Sequence, residues 1–228
     1  MDSVDSDRSF QTVSRAKPAG PDVGTASGAS VKTLSSETTF AGLRFATEPG
    51  RVFTPRPATE MLVHRALEWI GDGPKRAADV GTGSGVIGVT LAVRRPELEV
   101  WATDLSPEAV ELARRNATRL GVAGRVHVLE GDLLEPLPLP VDVVVANLPY
   151  LPDTLHDPRY DTEPPLAVYA PGDGLDPYRR LLNACREGKL VIPGGVVLVQ
   201  FHRETLVANC WQLEELRRLL EERQQAAA

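Results

Sequence analysis

The sequence predicts an α/β domain in which helices cover both faces of a mostly parallel central sheet. Three observations predict it. Short apolar runs rich in Val and Ile recur along the chain, at 77–80, 100–102, 126–129, 141–146 and 196–201. Segments of helical periodicity separate most of them. The runs also lack the strict alternation of a strand with one wet face, as expected where both faces are buried.

The elements follow in order. Residues 1–38 are dominated by Ser, Asp, Thr, Gly, Ala and Pro and show no periodicity, so they are expected to form a disordered tail ahead of a domain at 39–228. A helix is predicted over 57–70, with Met61, Leu62, Ala66, Leu67 and Ile70 on one stripe and a stop at Gly71-Asp72-Gly73-Pro74. Ser106-Pro107 and Asp176-Pro177 each offer an N-cap side chain followed by proline at the first helical position. The first of these helices runs to a glycine stop at Gly121. A last helix is predicted from about Thr205 to Glu222, with Leu213, Leu216, Leu219 and Leu220 on one side.

Composition narrows the function classes. The chain has 228 residues, 42% apolar and 25% charged, with a net charge of −6, which is ordinary globular material and argues against a protein that wraps nucleic acid. No window holds the roughly 18 unbroken apolar residues of a membrane span, and no apolar h-region follows the N-terminus, so a cytoplasmic protein is expected. Cys185 and Cys210 are the only cysteines, too few for a disulfide scaffold. His64, His127, His156 and His202 share no metal-ligand spacing, and no metal is expected. The sequence is silent on oligomeric state.

The chemistry-bearing residues cluster at the predicted strand ends. Asp79-Val80-Gly81-Thr82-Gly83-Ser84-Gly85 closes the first strand and opens a helix, where glycines admit a ligand close to the backbone and free N–H groups face it. Asp104 lies 19 residues after Gly85 at the end of the second strand, placed to bind both hydroxyls of a ribose. Asp132, followed by Leu133, comes after the third. In an open parallel sheet these ends line one crevice, which points to a nucleoside cofactor. Val86 stands where a dinucleotide fingerprint would carry its final glycine, which disfavours hydride transfer.

The glycine loop resembles the first motif of S-adenosyl-L-methionine-dependent methyltransferases. The fourth strand runs into Asn147-Leu148-Pro149-Tyr150, similar to the motif of methyltransferases that act on planar amino or amide nitrogens. Phe53-Thr54-Pro55-Arg56-Pro57-Ala58-Thr59-Glu60, Glu163-Pro164-Pro165, Gly172-Asp173-Gly174-Leu175-Asp176-Pro177-Tyr178-Arg179 and Pro193-Gly194-Gly195 complete a resemblance to the HemK-type protein-(glutamine-N5) methyltransferases of peptide chain release factors, over about residues 40–202.

That resemblance implies a Rossmann-like class I methyltransferase fold. It implies a cofactor, S-adenosyl-L-methionine, held by Asp79, Gly81, Thr82, Gly83, Ser84, Gly85, Asp104, Asp132, Leu133 and Asn147, and a glutamine-bearing protein substrate. Asn147, Leu148, Pro149 and Tyr150 would form the catalytic turn. A carboxamide nitrogen is a poor nucleophile because its lone pair is delocalised. The Asn147 side-chain oxygen and the Leu148 carbonyl would accept its two N–H bonds and aim the lone pair at the methyl group. Pro149 stiffens the turn, Tyr150 supplies a flat wall, and the methylated nitrogen is acidic enough to need no dedicated base. Arg56 is placed to reach the cofactor carboxylate or the substrate backbone, while Asp153, Asp157, Asp161 and Glu163 are expected in a solvated loop.

The chain departs from the family at Leu148, where proline is usual, and shows no helical N-terminal domain. The family continues past the final helix with an antiparallel pair of strands and this sequence stops there, so strand five is expected to be left as a bare sheet edge. Two other readings compete: N6-adenine methylation of RNA or DNA, on the literal Asn-Leu-Pro-Tyr, and a non-catalytic member of the fold.

Overall fold

The computed structural model describes residues 36–72, 75–187, 190–202, 204–209 and 213–227. The expected tail lies outside the described residues up to 35, and Cys210 lies outside them as well. Among the described residues the first strand, β1 (Ser36–Phe40), pairs antiparallel with β2 (Leu43–Thr47) in a hairpin that the sequence pattern does not predict. Then come α1 (Thr59–Ile70), β3 (Lys75–Val80), α2 (Val86–Arg94), β4 (Leu98–Asp104), α3 (Pro107–Arg119), β5 (Val126–Glu130) and β6 (Val141–Ala146). Two short strands, β7 (Leu151–Pro152) and β8 (Tyr169–Ala170), pair with each other across a long loop. The chain continues through α4 (Asp176–Glu187), β9 (Val191–Phe201), β10 (Glu204–Asn209) and α5 (Leu213–Ala227).

The main sheet has six strands in the order β10-β9-β6-β3-β4-β5. Its strands are parallel except for β10, which pairs antiparallel with β9. The expectation of a bare edge at strand five is thereby corrected. Periodicity puts residues from 205 onward in the last helix, yet 204–209 extend along β9 from Glu204↔Phe201 to Asn209↔Val196. β-Branched Thr205 and Val207 fit an extended segment better than a helix. The helix itself begins only at Leu213.

Alternating side chains divide the core between two layers. Val143, Val145, Val196 and Leu198 face α1, α2 and α3 through Leu62, Ile87 and Val110. Val144, Ala146, Val197 and Val199 face α4 and α5 through Leu181 and Leu216. Each fully buried leucine among these contributes about 2 kcal/mol of transfer free energy. Ser106 caps α3 as expected, its Oγ accepting from the Ala109 N–H at 3.2 Å, with Pro107 at the first position. At α4 the helix starts on Asp176 itself, and Asp173 Oδ1 accepts from the Leu175 N–H at 3.1 Å. Along β9 the pairing with β6 slips from Val141↔Val191 to Val143↔Val196, so Pro193-Gly194-Gly195 forms a bulge.

Strand order reverses between β3, which pairs with β4 on one side, and β6 on the other. Ligands of open parallel sheets bind beyond the carboxyl ends of the strands at such a point. No helix among the described residues is long and apolar enough to cross a membrane.

Candidate active site

The loop after β3 is built from below. The Gly81 and Thr82 N–H groups both donate to the Thr103 carbonyl at 2.9 Å, tying the loop to the end of β4. Gly81, Gly83 and Gly85 have φ of 69°, 55° and 82°, a region L side chains rarely adopt. Gly85 also lies against α3, where an added Cβ would sit 3.1 Å from the Ala113 Cβ. Asp79 is fully buried beneath the loop, its Oδ2 accepting from the Thr82 hydroxyl at 2.6 Å and the Gly88 N–H at 2.8 Å. Burial pushes its carboxyl up to about 6, against the pull of those two donors. The structure therefore places Asp79 and Gly85 behind the loop, while Gly81, Thr82, Gly83 and Ser84 line the cavity above it.

The second acid is at the cavity wall. Asp104 ends β4 and bridges outward, Oδ2 accepting from the Gly83 N–H at 2.8 Å and Oδ1 from the Ser106 N–H at 2.9 Å. Burial raises its pKa, opposed by these backbone donors. Leu105 follows, 54% exposed and turned into the cavity lining, an apolar surface suited to a flat ring. Asp132 forms an ion pair with Arg180, while its Oδ1 is buried without a hydrogen-bond partner among the described residues. Leu133 adopts φ of 48°, held by the Thr103 hydroxyl donating to its carbonyl at 2.7 Å. A buried acceptor still unmet, an acid beside the glycine loop and an apolar wall between them fit an adenosine-type ligand carrying amino and hydroxyl donors.

The turn after β6 completes the cavity. Asn147 Nδ2 donates to the hydroxyl of Thr59, the first residue of α1, at 3.4 Å. Leu148 is 5% exposed, and its carbonyl accepts from the Tyr178 hydroxyl at 3.0 Å. Its side chain lies over the glycine loop, 2.7 Å from where a Cβ on Gly81 would be. The Tyr150 ring packs 5.2 Å from Phe201 and 4.8 Å from His202. All four residues of the turn line the same cavity as the glycine loop, Asp104, Asp132 and Leu133, a space of about 1620 Å³. The strand ends that the sequence singles out therefore do meet at one place.

Other parts of the wall depart from the sequence expectation. Glu163, expected in a solvated loop, is only 6% exposed. Its Oε2 accepts from the Thr54 N–H at 2.9 Å and its Oε1 from Arg56 at 2.8 Å. Arg56 also lies over the Phe53 and Tyr160 rings at 5.5 and 5.7 Å, so its guanidinium braces the cavity mouth. Asp153 and Asp161 are exposed as expected. Gln200 at the end of β9 also lines the cavity, a position with no sequence signal because its neighbours read as plain strand.

Known proteins resemble this chain in sequence and in fold. The family model for the methyltransferase small domain matches residues 44–158. The release factor glutamine methyltransferase of Deinococcus radiodurans is 41% identical over 192 residues, covering 79% of this chain and 67% of that protein. The chain belongs to the release factor glutamine methyltransferase family. Another member, from Moorella thermoacetica, is 40% identical over 182 residues, 77% of this chain and 62% of its own length. The chain thus spans about two thirds or less of the release factor glutamine methyltransferases it matches. Among solved structures, the T. thermophilus 16S rRNA N2 G1207 methyltransferase aligns with a TM-score of 0.53 at 18% identity, over 72% of this chain and 41% of that one. The ribosomal protein L11 methylase from Lactobacillus delbrueckii subsp. bulgaricus aligns with a TM-score of 0.50 at 22% identity, over 77% and 72%. Both share the Rossmann-like class I architecture that the sequence predicts for this member of the release factor glutamine methyltransferase family.

Proposed function

We propose that this chain transfers a methyl group from S-adenosyl-L-methionine to the side-chain amide nitrogen of a glutamine in a protein, and that the protein is a peptide chain release factor in the cytoplasm. The observation that carries the reading is the Asn147–Leu148–Pro149–Tyr150 turn, which opens onto the same cavity as the glycine loop and the strand-end acids. S-adenosyl-L-methionine supplies an electrophilic methyl on a sulfonium.

The chain's own residues do the rest. Gly81, Thr82, Gly83 and Ser84 present the loop backbone to the cofactor's amino-acid end, with Asp79 and Gly85 fixing that loop from behind. Asp104 takes the ribose hydroxyls, and Asp132 and Leu133 meet the base, Asp132 Oδ1 being the unmet acceptor. Asn147 Nδ2 donates to the Thr59 hydroxyl, and Oδ1, the acceptor of that side chain, takes a substrate N–H. The Leu148 carbonyl has a second lone pair for the other N–H beside the one engaged by Tyr178. Two acceptors on one planar NH₂ fix its orientation, and attack then needs little further ordering. As the nitrogen–carbon bond forms, the methyl carbon–sulfur bond would break with its electron pair leaving on the thioether sulfur, and the nitrogen's proton would pass to solvent.

The test is direct. Purified protein, methyl-labelled S-adenosyl-L-methionine and a cell extract are combined, and the label is divided by protease and ribonuclease. Label in a protein, traced to N5-methylglutamine, supports the reading. Label released by ribonuclease, or cofactor binding without transfer to any component, overturns it.

A further inference from the structure

The segment from Asp173 to Arg179 and the C-terminal helix α5 meet the catalytic turn from behind, at its backbone. An added Cβ on Gly174 would sit 2.2 Å from the Tyr150 carbonyl oxygen, so only glycine lets this segment press against the turn. The Gln224 amide nitrogen, from α5, donates to that same Tyr150 carbonyl at 3.2 Å and also to the carbonyl of Asp173. Both facing atoms are carbonyl oxygens, so the nitrogen must point at them. Gln224 is 8% exposed and its Oε1 has no partner among the described residues. A buried amide that leaves its acceptor unmet is costly, and what it provides here is a two-pronged donor.

Tyr178 makes the second hold. Its hydroxyl is fully buried and lies 3.0 Å from the Leu148 carbonyl and 2.6 Å from the Gln200 carbonyl. These two oxygens come from the turn after β6 and from the end of the adjacent β9, just beyond the last paired rung at Ala146↔Val199. The single hydroxyl proton is shared between the two oxygens. The Leu148 carbonyl is thereby held at a fixed place while keeping capacity for a substrate N–H. Arg179 ties the two parts of the brace together, pairing with Asp173 at 2.7 Å and with Glu221 of α5 at 3.2 Å.

We propose that Tyr178 and Gln224 are positioning residues for methyl transfer, fixing the backbone carbonyls of Leu148 and Tyr150 so that the catalytic turn keeps its shape when an acceptor amide arrives. Helix α5 then positions the catalytic turn although none of its described residues lines the cavity. The link to turnover rests on the function proposed above, whereas the brace itself is measurable without it.

The experiment uses the full chain and the variants Tyr178→Phe and Gln224→Met, with Gln225→Met on the exposed side of α5 as control. Hydrogen exchange is read by mass spectrometry, cofactor affinity by calorimetry, and turnover with a purified bacterial peptide chain release factor. Expected are exchange at residues 147–153 at least about tenfold faster in both variants, with β3 and β4 unchanged. Turnover should fall about 10- to 100-fold in kcat, with S-adenosyl-L-methionine affinity and its KM within about twofold of wild type. Unchanged exchange at 147–153, unchanged kcat despite faster exchange, or loss spread equally over cofactor affinity and the whole sheet would each overturn the proposal. Should Tyr178→Phe fail to fold, Gln224→Met decides alone. A wild-type chain that methylates no release factor overturns the proposed function, and the exchange arm then decides the brace by itself.

Discussion

Gly81 and Leu148 meet across the crevice between β3 and β6: a Cβ on Gly81 would lie 2.7 Å from Leu148 Cδ2. The cofactor loop and the catalytic turn are therefore packed against each other through one glycine and one leucine. Gly81→Ala meets two obstacles, a φ of 69° and this contact. It is expected to cost about 1–3 kcal/mol. Combined with Leu148→Ala, the loss should be smaller than the sum of the single losses by about 1 kcal/mol. Urea unfolding of the four proteins of the cycle measures it, and simple additivity would show that the two residues do not press on each other.

Asn147 is the side chain on which the proposed chemistry turns. Asn147→Ala removes an acceptor for the incoming amide and is expected to lower kcat about 10²- to 10³-fold. Asn147→Asp keeps an oxygen acceptor and should retain more activity than the alanine variant. Steady-state rates with a fixed protein acceptor check the order, and equal rates for wild type and Asn147→Ala would remove Asn147 from its role.

Glu163 is nearly buried and holds both the Thr54 N–H and the Arg56 guanidinium. Glu163→Ala leaves a part-buried donor and a half-exposed cation without their acceptor. The expected loss is about 2 kcal/mol of stability. Thermal unfolding should register it, with faster proteolysis in the 53–56 segment, and a melting temperature equal to wild type would contradict the buried pair.

Asp79 sets a pH dependence whose sign follows from its burial. Its native carboxyl is pushed up to about 6, above the ordinary value of 3.8 that the unfolded chain shows. The native state thus holds the proton longer than the unfolded one. The contribution is most favourable below the unfolded value and is lost as pH rises from about 4 to about 6, by up to about 3 kcal/mol. Asp79→Asn keeps an acceptor for Thr82 and Gly88 without a charge. Its stability relative to wild type should therefore rise across that window and level off above it. Chemical denaturation of both proteins between about pH 4 and pH 8 reads the difference, and a constant gap would show that Asp79 is not titrating there.

The parallel strands and the strand-end acids are legible in the sequence because both are local signals. A Val-rich run is buried wherever it lies, and Asp104 announces itself by its distance from Gly85. The hairpin at 36–47 is hidden because Ser36, Glu37 and Thr38 read as tail by composition, and only Phe40 and Phe45 reach the core as large side chains. Strand β10 is hidden because its pairing to β9 outweighs the pattern of the helix that follows it. At the site, Asp79 belongs to the glycine motif by sequence, yet its neighbours bury it, and no spacing rule tells a ligand-facing acid from one that holds the loop. Glu163 looks solvated among exposed acids because its partners, Arg56 and Thr54, lie more than a hundred residues earlier. The brace from Tyr178 and Gln224 is invisible for a related reason: its acceptors are backbone carbonyls, which carry no residue identity.

Asn116, fully buried on α3, has no remaining freedom in its amide. Its oxygen accepts from the Ala46 N–H at 2.8 Å, and its nitrogen donates to the Ala46 carbonyl at 3.0 Å and the Ser84 carbonyl at 2.8 Å. An aspartate would set a carboxylate against two carbonyl oxygens, a leucine would orphan three backbone groups, and a glutamine would overreach by a methylene. Position 116 is therefore a letter of the sequence with one permitted spelling. A variant that changes it is expected to sever the hairpin from the cofactor loop, so that β1, β2 and the glycine motif would come loose together.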